Sequence, residues 1–122
     1  MVLIDTSVWI ALFRKRDGEL GKKMLSLVAK NEAALCGQVW VEYLGGFRKE
    51  NLRKFHENAL NNFPFLETKQ GAFKLAANLM ADYPRLGAGD AIIAATAITA
   101  ETPLLTLDKD FLVLVRVGLS LF

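Results

Sequence analysis

Four acidic residues lie beside apolar segments, where an α/β protein gathers its chemistry. Asp5 and Asp108 each end a short apolar run. Asp90 opens a long apolar stretch, and Glu42 lies inside a helix-like segment. Carboxylates that converge repel one another, and a cation offsets that repulsion. Ligands that are all oxygen suit a hard divalent ion, so the pattern indicates Mg²⁺ or Mn²⁺.

The positions of the four acids on the predicted elements favour convergence. In open α/β sheets, ligands bind beyond the carboxyl ends of the strands, where Asp5 and Asp108 are predicted to lie. Asp90 begins a helix, whose dipole favours the charged form of the carboxyl. Glu42 lies about one turn into its helix, and its long side chain could reach the same edge.

Each acid also has a purely structural interpretation. Asp5 before Thr6 and Asp90 after a glycine-rich turn could be helix caps. Glu42 could face solvent, and Asp108 could be a turn residue. Taken together, these interpretations require four acids to meet at one edge by chance.

The elements that position these acids alternate along the chain. Short apolar runs predict strands at residues 2–5, 33–36, 65–67 and 104–107, with a further strand near 115–117 or 119–122. Helical periodicity and caps predict helices at residues 8–14, 38–49, 51–62, 70–83 and 90–100. A further helix is predicted after Gly18, running through Leu20 and ending at Lys30. Strands alternating with helices predict an α/β fold with a parallel sheet between two helical layers.

Finer expectations concern which residues face inward. The last long helix, residues 90–100, is apolar nearly all round and must be buried. The helix before it should turn Phe73, Ala76, Ala77 and Met80 inward. The two helices over residues 38–62 should form a helical arm, with the single histidine, His56, on its surface.

Composition limits the class of protein. With 122 residues, 52% hydrophobic and 23% charged, the chain should form one globular domain, residues 1–122. Its one cysteine, Cys36, excludes an intramolecular disulfide and is predicted to be buried. No apolar stretch reaches membrane-span length and no signal-peptide pattern follows Met1, so we expect a cytoplasmic protein without a membrane partner.

The charge distribution bears on the substrate. The net charge is only +2, but basic clusters are concentrated in the first half of the chain. Beside an acidic metal site, such clusters fit a polyanionic substrate, with Arg14, Lys15 and Arg48 as candidate phosphate contacts. Alternatively, they are solvated helix ends. No nucleophile triad, phosphate-binding loop or zinc spacing competes with the acidic site.

Four segments resemble the PIN-domain family, in the family's order. Residues 2–7 resemble its opening hydrophobic strand with Asp-Thr/Ser-Ser, and Glu42 is similar to its central acid. Residues 90–97 match its Asp-x-x-Ile-Ala-Ala-x-Ala helix, and residues 105–111 match its terminal Thr-x-Asp/Asn-x-Asp-Phe element. A stand-alone PIN domain of this length most resembles the VapC toxins of prokaryotic toxin–antitoxin pairs.

The resemblance implies a fold, an activity and partners. The fold would be PIN-like, three layers with a central parallel sheet of four to five strands. The activity would be that of a metal-dependent endoribonuclease toxin, with an RNA substrate, a cognate antitoxin protein and a homodimeric assembly as partners. The implied ligands of one or two Mg²⁺ or Mn²⁺ ions are Asp5, Glu42, Asp90 and Asp108, supported by Thr6, Ser7 and Thr106, with Asp110 as an alternative to Asp108 or a further ligand.

Two other functions remain open. One is a catalytically weak RNA-binding or regulatory PIN module, although the complete set of acids argues against it. The other is a Mg²⁺-dependent phosphohydrolase, although residues 5–7 lack the second aspartate of an Asp-x-Asp signature.

Two surfaces are also predicted. An apolar groove for the antitoxin should be walled by Trp9, Leu12, Trp40, Tyr43, Leu44 and Phe47, unless these residues are core. A homodimer should use aromatic residues in excess of what a small core accommodates, namely Phe55, Phe63, Phe65 and Phe73.

Overall fold

The computed structural model describes residues 1–15 and 18–122 and places one parallel sheet among helices. The strands are β1 (Val2–Ile4), β2 (Ala33–Cys36), β3 (Phe65–Leu66) and β4 (Leu104–Leu105). The helices are α1 (Thr6–Arg14), α2 (Gly18–Ala29), α3 (Gly37–Gly45), α4 (Glu50–Leu60), α5 (Gln70–Asp82) and α6 (Ala88–Thr99), followed by a 3₁₀ helix (Lys109–Val117). The predicted α/β class is confirmed.

The sheet order is β3-β2-β1-β4, with every neighbouring pair parallel. Leu3 of β1 is in register with Ala34 on one side and Leu104 on the other. All residues of β1, β2 and β4 are buried, as expected for strands covered by helices on both faces. The carboxyl ends of β1 and β4 therefore lie side by side.

Helix α6 is the most deeply buried helix of the described chain. Ala91 and the run from Ile93 to Ala97 are buried, which confirms the prediction from its nearly uniform apolar composition. It packs chiefly against α5. Within the described residues, no helix has the length and apolar character needed to cross a membrane.

The predicted inward face of α5 is wrong for three of its four residues. Phe73, Ala77 and Met80 are exposed, whereas Ala72, Ala76 and Leu79 are buried. Both sets have helical spacing, so periodicity alone does not choose between them. The small alanine side chains allow α5 to lie close to α6.

The predicted arm consists of two helices, α3 and α4. Helix α3 ends at Gly45, and α4 begins at Glu50.

The expectation that His56 is a surface residue is wrong. His56 is buried, stacked on the ring of Phe47 at a centroid distance of 4.1 Å, with Nδ1 3.2 Å from the Tyr43 hydroxyl. Helix α4 turns the face of His56 and Leu60 inward, leaving Phe55 exposed.

The C-terminal tail differs from the prediction as well. Residues 115–117, one of the two candidate positions for a last strand, belong to the 3₁₀ helix. Phe111 and Leu114 are its buried residues, and a 3₁₀ helix aligns positions three apart. The helix ends at Gly118, whose φ of 108° is left-handed. The other candidate position, 119–122, supplies one parallel bridge, between Leu121 and Leu104.

Candidate metal centre

Asp5 lies just beyond the carboxyl end of β1, in the middle of the sheet. Its side chain is buried, with 4% of its surface exposed. Oδ2 accepts hydrogen bonds from Ser7 Oγ at 2.7 Å and from Thr106 Oγ1 at 2.8 Å. Asp5 occupies the N-cap position of α1, yet its side chain makes no capping hydrogen bond. Helix capping therefore does not explain this carboxylate.

The two hydroxyl groups that hold Asp5 are themselves held by backbone amides. Leu107 N–H donates to Ser7 Oγ at 3.1 Å, and Asp108 N–H donates to Thr106 Oγ1 at 3.0 Å. Each hydroxyl therefore accepts from the backbone and directs its proton to Asp5. This network ties the segment after β4 to the end of β1 and fixes the orientation of Asp5.

Glu42 reaches the same edge from α3. Thr6 Oγ1 donates to Oε1 at 2.6 Å, and Gln38 Nε2 donates to Oε2 at 3.1 Å. Glu42 is an exposed residue, as the structural interpretation predicts, yet both of its carboxylate oxygens are held by hydrogen bonds at this edge.

Two residues that the sequence reasoning missed shape the position of Glu42. Gln38 lies four residues before Glu42, a spacing that places both side chains on one face of α3. Gly89, in the first turn of α6, leaves the space that Glu42 occupies, since a Cβ there would collide with Oε2 and lie 3.0 Å from Gln38 Nε2. The sequence signal that could have identified Gly89 is its position directly before Asp90.

Three aspartates form the tightest acidic group. Asp90, Asp108 and Asp110 each offer one ligand atom, and these atoms lie within 4.8 Å of one another. Asp108 is also the cap of the 3₁₀ helix, because its Oδ1 accepts from Asp110 N–H at 2.9 Å. The turn interpretation and the metal-site interpretation of Asp108 are thus both compatible with the structure.

The electrostatics of Asp90 show how close the other acids lie. Partial burial and, to a smaller extent, the negative charges of Asp108, Asp5, Glu42 and Asp110 together raise the pKa of Asp90 to about 6. The structure therefore brings all four predicted acids to one edge. Asp110 joins the tight group, while Asp5 and Glu42 lie around it.

The arrangement fits a divalent cation. Every candidate ligand is a carboxylate oxygen, the donor that Mg²⁺ and Mn²⁺ prefer. A cation would also relieve the mutual repulsion that disfavours the charged form of Asp90.

The nearby thiol has no comparable chemistry. Cys36 is buried, as predicted, and burial raises the pKa of its thiol. Since nucleophilic attack needs the thiolate, this environment argues against a catalytic cysteine.

Comparison with known proteins agrees with the geometry. The model of the family described as PIN domain matches residues 2–116. Ribonuclease VapC11 of Mycobacterium tuberculosis is 30% identical over 125 residues, covering 96% of this chain and 93% of the relative. A VapC ribonuclease of Mycobacterium bovis matches to the same extent, 30% identical over 96% of this chain and 93% of its own.

Solved structures resemble the fold over nearly the whole chain. A toxin–antitoxin complex from Klebsiella pneumoniae matches with a TM-score of 0.74 and 28% identity, covering 91% of this chain and 90% of that one. VapBC2 from Rickettsia felis, solved with a promoter DNA fragment, matches with a TM-score of 0.79 and 17% identity, covering 100% and 98%. Because the second structure is only 17% identical to this chain, its similarity shows the fold alone.

Proposed function

The chain belongs to the PIN domain family, and from that premise we propose that it is a metal-dependent endoribonuclease, the toxin of a toxin–antitoxin pair. The observation that carries the proposal is the convergence of acids around Asp90. Relatives named ribonucleases, 30% identical over almost the entire chain, support RNA as the substrate.

We assign the metal to the carboxylates at the sheet edge. Its proposed ligands are Asp5, Glu42, Asp90 and Asp108, with Asp110 as a further ligand. Ser7 and Thr106 orient Asp5, and Thr6 orients Glu42, through the hydrogen bonds described above. These outer contacts fix the carboxylates before the cation arrives, which lowers the cost of organising the site.

The chemistry divides between the ion and the protein. When bound, Mg²⁺ or Mn²⁺ lowers the pKa of water and offsets charge that develops on the phosphate. The protein's own residues hold the carboxylates in one arrangement, and the apolar cores of β1, β4 and α6 behind them keep that arrangement rigid. Such preorganisation is a main source of rate enhancement in phosphoryl transfer.

A cleavage assay tests the proposal directly. Purified protein should cleave RNA with Mg²⁺ or Mn²⁺, and EDTA should stop the cleavage. Asp5→Asn, purified in parallel, should be inactive and still folded, which controls for contaminating nuclease. Cleavage that persists in EDTA, or that Asp5→Asn retains, would contradict the assignment. Binding of RNA without cleavage at any metal concentration would favour an RNA-binding module instead.

An apolar groove provides a site for the antitoxin. The groove lies among α1, α2, α3 and α4 and encloses about 470 Å³. Residues along it include Trp9, Leu12, Met24, Tyr43, Phe55 and Phe63. We propose that an apolar helical segment of the antitoxin lies here. The Trp9 indole N–H is buried and has no hydrogen-bond partner among the described residues.

The groove differs in part from the one predicted. Trp9, Leu12 and Tyr43 line it, as expected. Trp9 and Tyr43 are also buried in the core, so the alternative core interpretation holds for them as well. Leu44 is in the core and does not line the groove, while Trp40 packs against Phe65 and Phe47 against His56. The prediction missed α2, because the contribution of Met24 and its neighbours depends on tertiary packing.

Exposed residues make the groove testable without harming the fold. Leu25 and Phe55 line the groove and are 71% and 65% exposed. Leu25→Ala and Phe55→Ala should each weaken binding of the co-expressed antitoxin, whereas Leu112→Ala, at an exposed site outside the groove, should not. Unchanged affinity in both groove variants would place the antitoxin elsewhere.

A further inference from the structure

A second cavity opens beside the acidic cluster. It encloses about 490 Å³ between the α5–α6 connection and the first turn of the 3₁₀ helix. That volume falls within the range of about 300–1,000 Å³ that small-molecule sites occupy. Its lining residues include Asp82, Tyr83, Arg85, Leu86, Lys109 and Asp110.

One residue belongs to both the cavity and the acidic group. Asp110 lines the cavity and contributes a ligand atom to the group it forms with Asp90 and Asp108. A molecule seated in the cavity therefore lies next to the proposed metal. For a polynucleotide, a nucleotide held here would place its neighbouring phosphodiester at the acids.

The charges in the cavity suit such an occupant. Arg85 and Lys109 both line the cavity, one from the α5–α6 connection and one from the 3₁₀ helix. Among the described residues, ion pairs form between Lys22 and Glu19 and between Lys54 and Glu50, so neither cavity cation is neutralised by a pair. Two unpaired cations beside a cation-binding site are suited to a phosphate backbone.

The cavity also offers an aromatic surface for a base. Tyr83 is half-buried and packs against the core, at the point where α5 ends. Its carbonyl accepts from Leu86 N–H at 2.9 Å, closing a turn that contains Pro84, and Leu86 is buried beneath that turn. The tyrosine is therefore held by a rigid turn, as a stacking platform requires. Asp82, on the same wall, can accept a hydrogen bond from a base amino group.

We propose that this cavity binds one unpaired nucleotide of the RNA next to the cleaved phosphodiester. Tyr83 stacks on the base, and Arg85 and Lys109 contact the flanking phosphates. This proposal rests on the proposed ribonuclease function. It adds Arg85 and Lys109 to the phosphate contacts predicted from the sequence, namely Arg14, Lys15 and Arg48. Of these, Arg14 lies at the far end of α1, about 12 Å along the helix from Thr6.

Equilibrium binding tests the cavity separately from catalysis. The probe is a fluorescent, unstructured RNA oligonucleotide, and the background is the Asp5→Asn protein, measured by anisotropy over a range of salt concentrations. Tyr83→Ala should weaken binding by about 5-fold to 150-fold, the range typical of one stacked base, and Tyr83→Phe should restore it. Arg85→Ala and Lys109→Ala should each reduce the slope of log K against log salt concentration by about 0.7.

Controls separate the possible failures. Arg116→Ala, an exposed arginine of the 3₁₀ helix outside the cavity, should change neither affinity nor slope. If Tyr83→Ala does not fold, the proposal is tested by Arg85→Ala and Lys109→Ala, through the slope of log K against log salt concentration. Unchanged affinity and slopes in all cavity variants, with a wild type that cleaves RNA, would overturn this inference alone. A wild type that cleaves no RNA would instead overturn the proposed function.

A protein occupant would give a different pattern. If the cavity variants bind RNA normally but lose affinity for the antitoxin, the cavity is a protein-docking site and the nucleotide assignment is wrong.

Discussion

Asp90 carries a charge that its surroundings disfavour. Burial and the neighbouring carboxylates raise its pKa to about 6, against 3.8 for an unperturbed aspartate. A folded protein with such a raised pKa gains stability when the group is protonated and loses it as the pH rises through about 6. In the metal-free protein, this group should therefore increase the free energy of unfolding as the pH falls from 7 towards 4.

We predict that Asp90→Asn stabilises the metal-free protein at pH 7 while abolishing cleavage. The substitution removes a repelled charge and one proposed ligand together. Denaturation in EDTA should show a higher free energy of unfolding for the variant than for the wild type at pH 7. This difference should shrink at pH 5, where Asp90 of the wild type is protonated. Mg²⁺ should raise the melting temperature of the wild type only. A variant that is less stable than wild type at pH 7 would contradict the electrostatic account.

Gly89 is predicted to control the position of Glu42. In Gly89→Ala, the new methyl group would meet the end of a flexible side chain, so the fold should survive while Glu42 moves away from Thr6. Displacing a positioned group by about 1 Å can cost about 100-fold in rate, and we expect a loss of that order. Gly87→Ala is the matched control, because nothing lies within 4 Å of a Cβ there. Equal activity of the two variants would show that Glu42 needs no such space.

At the scale of elements, some features were predictable from sequence because they depend on local pattern. The apolar run of β1 followed by Asp5 predicted the strand and its acid, and the structure places both as expected. The uniformly apolar α6 could only be buried. In both elements the apolar residues are continuous, and a continuously apolar helix or strand is stable only when it is buried on all sides.

Other features depended on packing that a sequence pattern does not contain. The two faces of α5 have the same periodicity, and the choice of Ala72 and Leu79 over Phe73 and Met80 follows from contact with α6. The hydrogen bond from Thr106 to Asp5 and the one from the Leu107 amide to Ser7 join residues about a hundred positions apart. No local signal reveals such a pairing before the sheet brings β1 and β4 together.

The burial of His56 leads to a prediction about α4. His56 stacks on Phe47 and lies within hydrogen-bond distance of Tyr43, so it helps to attach α4 to α3. His56→Ala should lower the free energy of unfolding by about 1–3 kcal/mol, the range for a buried side chain with such contacts. Urea denaturation measures the loss, and Glu57→Ala, at an exposed neighbouring position, should change stability by less than about 0.5 kcal/mol.

The same variant distinguishes a structural histidine from a catalytic one. His56 lies among aromatic rings rather than at the acidic cluster. Under conditions where the His56→Ala protein is folded, we expect its cleavage rate to match that of the wild type. A large loss of rate in fully folded variant protein would give the histidine a functional role.

At the scale of the whole molecule, the distribution of exposed apolar residues supports a homodimer. Three of the four phenylalanines predicted for an interface, Phe55, Phe65 and Phe73, are exposed. The fourth, Phe63, is instead half-buried with its ring against Trp9 at a centroid distance of 5.1 Å. Since Phe55 lines the groove proposed for the antitoxin, Phe65 and Phe73 remain as candidates for contact with a second copy.

Phe65 belongs to a continuous apolar surface at one edge of the sheet. It lies on β3, the outermost strand, and lines a shallow cavity together with Trp40 and Val41. Val41 is 67% exposed although it is an apolar residue in the middle of α3. Exposed apolar surface beside an uncovered strand edge favours association with another chain.

We therefore predict that the protein is a homodimer and that Val41→Asp separates it. Sedimentation at tens of micromolar, a range in which interfaces with dissociation constants of about 10 μM are populated, should give twice the 13.5 kDa chain mass for the wild type. Val41→Asp should sediment as a monomer because the dimer would have to bury an unpaired carboxylate. Leu112→Asp, at an exposed site of the 3₁₀ helix, should remain dimeric. A monomeric wild type would refute the dimer, and a dimeric Val41→Asp would move the interface to another surface, with Phe73 as the next position to substitute.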